Sequence, residues 1–377
     1  ARDFTLVVAA DDSGVIGKAS ADYICDGVDD DVQINAALNA LPAEGGRVAL
    51  LEGIYVLADP IVIPDDDITL NGQGVSTLID GDGLADGEHA IEISGMEDVW
   101  IGSLSIQTDN GGGNDSDCVA ISDGSHDFII GKIVFVDSDS DAININGTSI
   151  WGGTIANCNI VNGDDYGVLV DIGGGSSTRY INITNNLIES VGLDGIRFSD
   201  TGSHDYNQII SNILHNNGGS AIRVYDTNGI VINDNNVHTV GGYGICLDTT
   251  HYSEINNNST FNTQLASIYL DGCDANNIVG NNLDSTSGAD TEDCIYVDGD
   301  ENVVSGNYIN EPERSGVYVA GHENIISNNV IVDAHLNGIN IRDDDNIIEG
   351  NLISGAGQKT AGTYHGIILS TDADRCS

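Results

Sequence analysis

Lysine is nearly missing from this 377-residue chain: only Lys18, Lys132 and Lys359 occur. All basic residues together number 11 against 59 acidic ones, a formal net charge of -48. Such a surface repels nucleic acid and anionic lipid, so neither is an expected partner. No stretch approaches the ~18 consecutive apolar residues of a membrane span, so membrane insertion is not expected. Proline (4 residues) and aromatics (5%) are also scarce, which disfavours a helical bundle with a large aromatic core. The seven cysteines contain no CxxC pair, so neither a zinc knuckle nor a thioredoxin motif is present. They are expected to be small buried side chains, not a disulfide framework. No histidine pair combines metal-ligand spacing with a third partner. No metal ligand or cofactor can be assigned with certainty. The acidic surface fits a salt-adapted, halophilic protein, and Asp-rich corners are an alternative place for Ca²⁺.

What the chain does have is glycine (48 residues) and a short motif that recurs. Aligned copies read Gly195-Ile196-Arg197-Phe198, Ala221-Ile222-Arg223-Val224, Gly244-Ile245-Cys246-Leu247, Ser267-Ile268-Tyr269-Leu270, Cys294-Ile295-Tyr296-Val297 and Gly316-Val317-Tyr318-Val319. Each is a small residue and then a short strand with alternate side chains buried. The first buried residues form the series Ile91, Val119, Ile143, Val168, Ile196, Ile222, Ile245, Ile268, Ile295, Val317, Ile339 and Ile367, at intervals of 22 to 28 residues. That period is a solenoid's. A second register places Asn186, Asn212, Asn236, Asn258, Asn282, Asn307, Asn329 and Asn351 at sharp corners, where Asn tolerates left-handed backbone. Further apolar runs, such as Ile230-Val231-Ile232, give each repeat three strands. The expected fold is all-β: a right-handed parallel β-helix of about 12–14 coils over residues 66–377. Residues 1–65 supply an N-terminal strand, a capping helix from Val32 to Leu41 and the first strands. The start at Ala1 and the bare last coil suggest processing, a longer polypeptide, or docking at that end.

The block Cys25-Asp26-Gly27-Val28-Asp29-Asp30-Asp31-Val32-Gln33, with Gly45-Gly46-Arg47-Val48 and Gly53-Ile54-Tyr55, resembles the opening segment of pectate-lyase-like β-helix proteins. That superfamily includes phage tailspikes, polygalacturonase-type hydrolases and mannuronan C-5-epimerases. The resemblance implies the fold and a polysaccharide partner. Through tailspikes it also implies an extracellular, secreted or virion-associated protein that is a homotrimer or part of a larger assembly. Catalytic motifs of the subfamilies depart from this chain. Tyr166-Gly167-Val168 is followed by Leu169-Val170-Asp171, not by the epimerase Asp-Pro-His-Glu. Only Asp117 precedes Cys118 where polygalacturonases carry two Asp, and Ile130-Gly131-Lys132 stands in place of the pectate lyase Asp-His-Cys.

Chemistry is expected on the outward face of the motif strands, where residues two apart share a side. Arg197, Arg223, Tyr225, Asp248, Tyr269, Asp271, Tyr296, Asp298 and Tyr318 fall on one surface. Asp194, Tyr243 and Asp293 precede the strands, while His204, His251 and His322 lie on flanking turns. Tyr225, Tyr243, Tyr269, Tyr296 and Tyr318 are expected to bind substrate, as aromatic rings stack on sugars. For hydrolysis, Asp248, Asp271 and Asp298 supply carboxylates one or two coils apart. For lyase or epimerase chemistry, Arg197 and Arg223 would neutralise a uronate while Tyr225 or His251 moves a proton. The resulting expectation is a glycan-binding protein that cleaves or modifies an extracellular polysaccharide across coils 196–319. The alternative is a non-enzymatic adhesin or structural surface solenoid that binds carbohydrate or a partner subunit.

Overall fold

The structure, a computed structural model, describes residues 4–108, 115–172, 177–199, 203–286, 292–358, 363–370, 373, 375 and 376. The chain divides into two units, residues 1–193 and 194–377. Each is a right-handed parallel β-helix built from three sheets of short strands.

In the first unit a strand, Thr5–Ala9, pairs in parallel with Gly46–Leu50. Two helices lie between them, Val15–Ser20 and Asp31–Asn39. The second was expected to start one residue later and to end two residues later. Its start is not capped by a side chain. Instead the Asp30 carboxylate accepts hydrogen bonds from the Gly27 and Val56 amides, and Asp31 accepts from Ala58. These acids tie the helix to the first coil. The face it buries is Ile34, Ala37 and Leu38, whereas Val32 is exposed. Helix Val15–Ser20 buries nothing, so it leaves no apolar period in the sequence. Strands Gly46–Leu50, Gly53–Val56 and Ile61–Val62 already occupy places in the three sheets.

In the second unit the motif strands stack as expected. Ile196 pairs with Ile222, Ile222 with Ile245, Ile245 with Ile268, and so on to Ile339 with Ile367. From Ile196 to Ile339 these residues are fully buried, and each such side chain withdrawn from water contributes roughly 1.5–3 kcal/mol. The small residue before each strand is a packing requirement. A Cβ on Gly316 would lie 2.6 Å from Ile331 Cγ2 and 2.8 Å from the Gly338 carbonyl oxygen.

An asparagine ladder runs up the corner between the other two sheets of this unit, through Asn212, Asn235, Asn258, Asn281, Asn307, Asn329 and Asn351. Each Oδ1 accepts the backbone N–H of the preceding coil's Asn, and Nδ2 donates to a carbonyl: Asn281 Nδ2 reaches Ile255 O at 2.8 Å. Asn236 and Asn282 were expected in the ladder, yet both open strands with exposed side chains. Their preceding neighbours Asn235 and Asn281 are the buried ones. A second ladder, unexpected from the sequence, links Ser253, Asn276, Asn302, Asn324 and Asn346 at another corner. The seven cysteines are free, six of them buried.

Candidate functional site

The outward face of the motif sheet in the second unit carries one lateral row of side chains. Backbone register aligns Arg197 with Arg223, Arg223 with Cys246, Cys246 with Tyr269, Tyr269 with Tyr296 and Tyr296 with Tyr318. A second row aligns Tyr225 with Asp248 and Asp248 with Asp271. Asp298 follows the strand Ile295–Val297, its N–H donating to the Leu270 carbonyl at 2.9 Å. Nine of the expected residues therefore share one face.

The tyrosines stack on one another. Ring centroids are 4.7 Å apart for Tyr269 and Tyr296 and 5.2 Å for Tyr296 and Tyr318, with planes 11° and 6° from parallel. Tyr243 tilts onto Tyr269 at 4.6 Å, and the Arg342 guanidinium lies 5.6 Å from the Tyr318 centroid. Sugar stacking was expected of these faces, and the geometry turns them toward one another. Ring faces in the column are covered by neighbours, leaving edges and hydroxyls. Tyr225 is flanked likewise, with the guanidiniums of Arg197 and Arg223 at 5.4 and 5.1 Å from its centroid.

Charge is distributed unevenly on this face. Arg197 pairs with the buried Asp194 at 3.4 Å, whose other oxygen accepts the Ser220 N–H at 2.6 Å. The Arg223 Nε is buried and has no hydrogen-bond partner among the described residues. Its neighbour Cys246 is 3% exposed, a position expected to point into solvent, and burial pushes its thiol up to about 12. At the other end, Arg314 approaches Asp293 at 3.9 Å. Burial still raises the Asp293 carboxyl, since a contact that long offsets only part of the desolvation. Arg314 and Glu292 were not singled out from the sequence. They belong to corners, where no strand period marks them.

The phenols are poor bases. Burial, then the charge of Asp271, lifts Tyr269 far above the ordinary phenol range. Burial and Asp298 push Tyr296 up to about 12. Tyr225 and Tyr243 are raised as well, chiefly by burial. Asp298 is raised by burial and then by Asp271, Asp343, Asp300 and Asp274, so it holds its proton to higher pH than an ordinary carboxyl. A cavity of about 340 Å³ lies beside these groups, lined by Tyr225, Asp226, Asp248 and Thr249. Thr249 donates to Asp248 Oδ1 at 2.9 Å.

The histidines are elsewhere. His204 is buried and its Nε2 meets the Ser199 carbonyl at 3.1 Å, so it does not line the face. His251 sits at a corner, where its Nδ1 accepts the Asp274 N–H at 3.0 Å. His322 is exposed at a corner beside Asp300. Among the described residues, the group of three potential metal ligands drawn within 4.8 Å of one another is Glu97, His126 and Asp127, in the first unit. Asp248, Asp271 and Asp298 form no such group. No described helix is long and apolar enough to cross a membrane.

Comparison with known proteins agrees with this fold. The family model described as a right handed beta helix region matches residues 170–294. A search of curated protein sequences finds no match. Among solved structures, the chain is similar to the mannuronan C-5 epimerase A-module of Azotobacter vinelandii, with a TM-score of 0.63 and 15% identity over 93% of this chain and 96% of that one. The Dettilon tailspike protein gives 0.62 and 17%, over 89% of this chain and 64% of the tailspike. PfbA, a surface adhesin of Streptococcus pneumoniae, gives 0.59 and 13%, over 90% and 89%. At such identities the likeness establishes the fold alone.

Proposed function

We propose that the face from Arg197 to Tyr318 binds an extended polysaccharide outside the cell and cleaves it by carboxyl-based acid catalysis. The observation that carries this reading is a column of three carboxylates: Asp248 in register with Asp271, and Asp298 one coil further on, its carboxyl raised by burial and by neighbouring acids. At ~4.8 Å per coil, Asp271 and Asp298 approach the roughly 5–5.5 Å of retaining hydrolases, and Asp248 and Asp298 the roughly 6.5–9.5 Å of inverting ones. Asp298 donates a proton to the leaving oxygen; the partner carboxylate stabilises or attacks the sugar, or activates water. Arg197 and Arg223 then hold an acidic group of the chain, and the Tyr hydroxyls donate hydrogen bonds to it. Raised phenol pKa values argue against tyrosine as the base of an elimination or epimerisation, because each phenol stays protonated at neutral pH. That the fold is shared with a C-5 epimerase and a tailspike supports a carbohydrate substrate without naming it.

A second reading, a carbohydrate-binding surface without chemistry, is favoured by the self-stacked tyrosines and by the adhesin of the same fold. Incubation with a panel of acidic and neutral exopolysaccharides separates the two. New reducing ends, without the ultraviolet absorbance of unsaturated uronate, support hydrolysis. Retention on a polysaccharide column with no chain shortening across the panel supports the adhesin instead.

A further inference from the structure

The first unit carries a cavity of about 280 Å³ lined by Ser149, Trp151, Ser177, Arg179 and Tyr180. We propose that it is a separate binding site for one acidic sugar unit of a polysaccharide, with Trp151 as the stacking platform and Arg179 as the anion partner. The site goes beyond the reaction assigned to the second unit, and shares with that reading only the class of ligand.

Strands Ile150–Trp151 and Ser177–Arg179 pair in parallel, with Trp151 opposite Arg179. Their backbones are joined through the Gly152 N–H to the Arg179 carbonyl at 3.0 Å. His126 stacks on Trp151 with ring centroids 4.3 Å apart and planes 10° from parallel. His126 thus fixes the indole and covers one face, while Trp151 still forms part of a cavity wall that His126 does not share. Trp151 is 43% exposed and Tyr180 is 56% exposed, a concentration of accessible aromatic surface in a chain poor in aromatics.

The chemistry of the lining selects the ligand. A pyranose presents C–H groups on one face, which settle on an indole, and hydroxyls at its edge, which bond to Ser149, Ser177 and the Tyr180 hydroxyl. Arg179 is a charged residue of the lining, and its planar fork matches a carboxylate or sulfate. The volume sits at the low edge of the roughly 300–1,000 Å³ of small-molecule sites, which suits one sugar unit. The tyrosine column of the second unit lacks this capacity, because its ring faces are already covered.

The chain has two tryptophans, so a Trp100→Phe background leaves Trp151 as the fluorescent reporter. Titration with oligomers of mannuronate, guluronate, galacturonate and glucuronate, and with neutral gluco-oligomers, tests the site. Saturable quenching by at least one uronate series is expected, with neutral oligomers at least tenfold weaker. Arg179→Gln should weaken uronate binding about tenfold, and Trp151→Ala should abolish it in calorimetry on the otherwise native chain. Circular dichroism confirms that each variant folds, and Arg179→Gln remains decisive if Trp151→Ala does not. Quenching by none of the four uronate series overturns the site, and equal binding of neutral oligomers overturns the anion assignment. Depolymerisation is scored separately: loss of activity in Asp298→Asn with intact Trp151 quenching concerns the second unit alone.

Discussion

Tyr269 and Tyr296 face each other across adjacent coils with ring centroids 4.7 Å apart and planes 11° from parallel. Tyr296 meets Tyr318 in the same way on its other side, so its ring contributes to two stacked pairs, each of roughly 0.5–1.5 kcal/mol beyond area burial. Tyr296→Ala should therefore destabilise the protein by about 1–3 kcal/mol in denaturant unfolding. Tyr296→Phe keeps both stacks and should change stability by less than about 0.5 kcal/mol. A phenylalanine variant as unstable as the alanine one would mean that the hydroxyl, not the stack, holds this column.

The asparagine ladder gives a sharper stability test. Asn281 accepts from the Asn258 N–H at 2.8 Å and the Asn258 side-chain amide at 3.1 Å. It donates to the Ile255 carbonyl at 2.8 Å and to Asn307 Oδ1 at 2.9 Å. Asn281→Ala orphans several buried groups, at about 1–3 kcal/mol for each one left unsatisfied. A loss of at least about 3 kcal/mol is expected. Asn282→Ala, one residue later and exposed, should cost less than about 0.5 kcal/mol.

Those two neighbours also show how far the sequence could be read. The strand period is visible because each motif opens on a β-branched residue, buried at every coil except the last, Ile367, and all twelve such positions begin strands of the motif sheet. The ladder is blurred because the doublets Asn235-Asn236 and Asn281-Asn282 look alike in composition. Backbone conformation separates them: the buried Asn directly follows a residue in left-handed conformation, as Asp234, Gly280, Gly306 and Asn328 do. The second ladder was missed, although the spacing of Asn276, Asn302, Asn324 and Asn346 follows the period of the strands and is the signal that marks it. The outward rows of the candidate site follow from alternation alone. The stacking of the tyrosines and the burial of Cys246 and His204 do not, because both depend on how neighbouring coils fill the space between side chains. Trp151 and Arg179 lie on strands of two and three residues outside the motif, too short for alternation to mark them.

Acid should stabilise this protein. Burial raises the carboxyls of Asp30, Asp117, Asp141, Asp293 and Asp298. A carboxyl raised on folding binds more protons in the native state, so its stabilising contribution is complete below the unfolded pKa near 4 and is lost as pH rises through the folded value. Self-repulsion of the 59 acidic side chains changes in the same direction. The melting temperature is expected to rise on going from pH 7.5 to pH 5, the conditions being about those where buried carboxyls begin to protonate. A fall over that interval would show that paired, depressed carboxylates dominate instead.

The proton donor of the second unit can be probed most directly by comparing native protein with Asp298→Asn on a polysaccharide that the native protein shortens. General acid catalysis is worth about 10²–10⁴ in rate. The expected result is a kcat at least about 100-fold lower, from reducing ends released at saturating substrate, with Kd for the same chain within about threefold. An unchanged kcat in Asp298→Asn would contradict the assignment of Asp298 and, with it, the acid-catalysed cleavage proposed for this face.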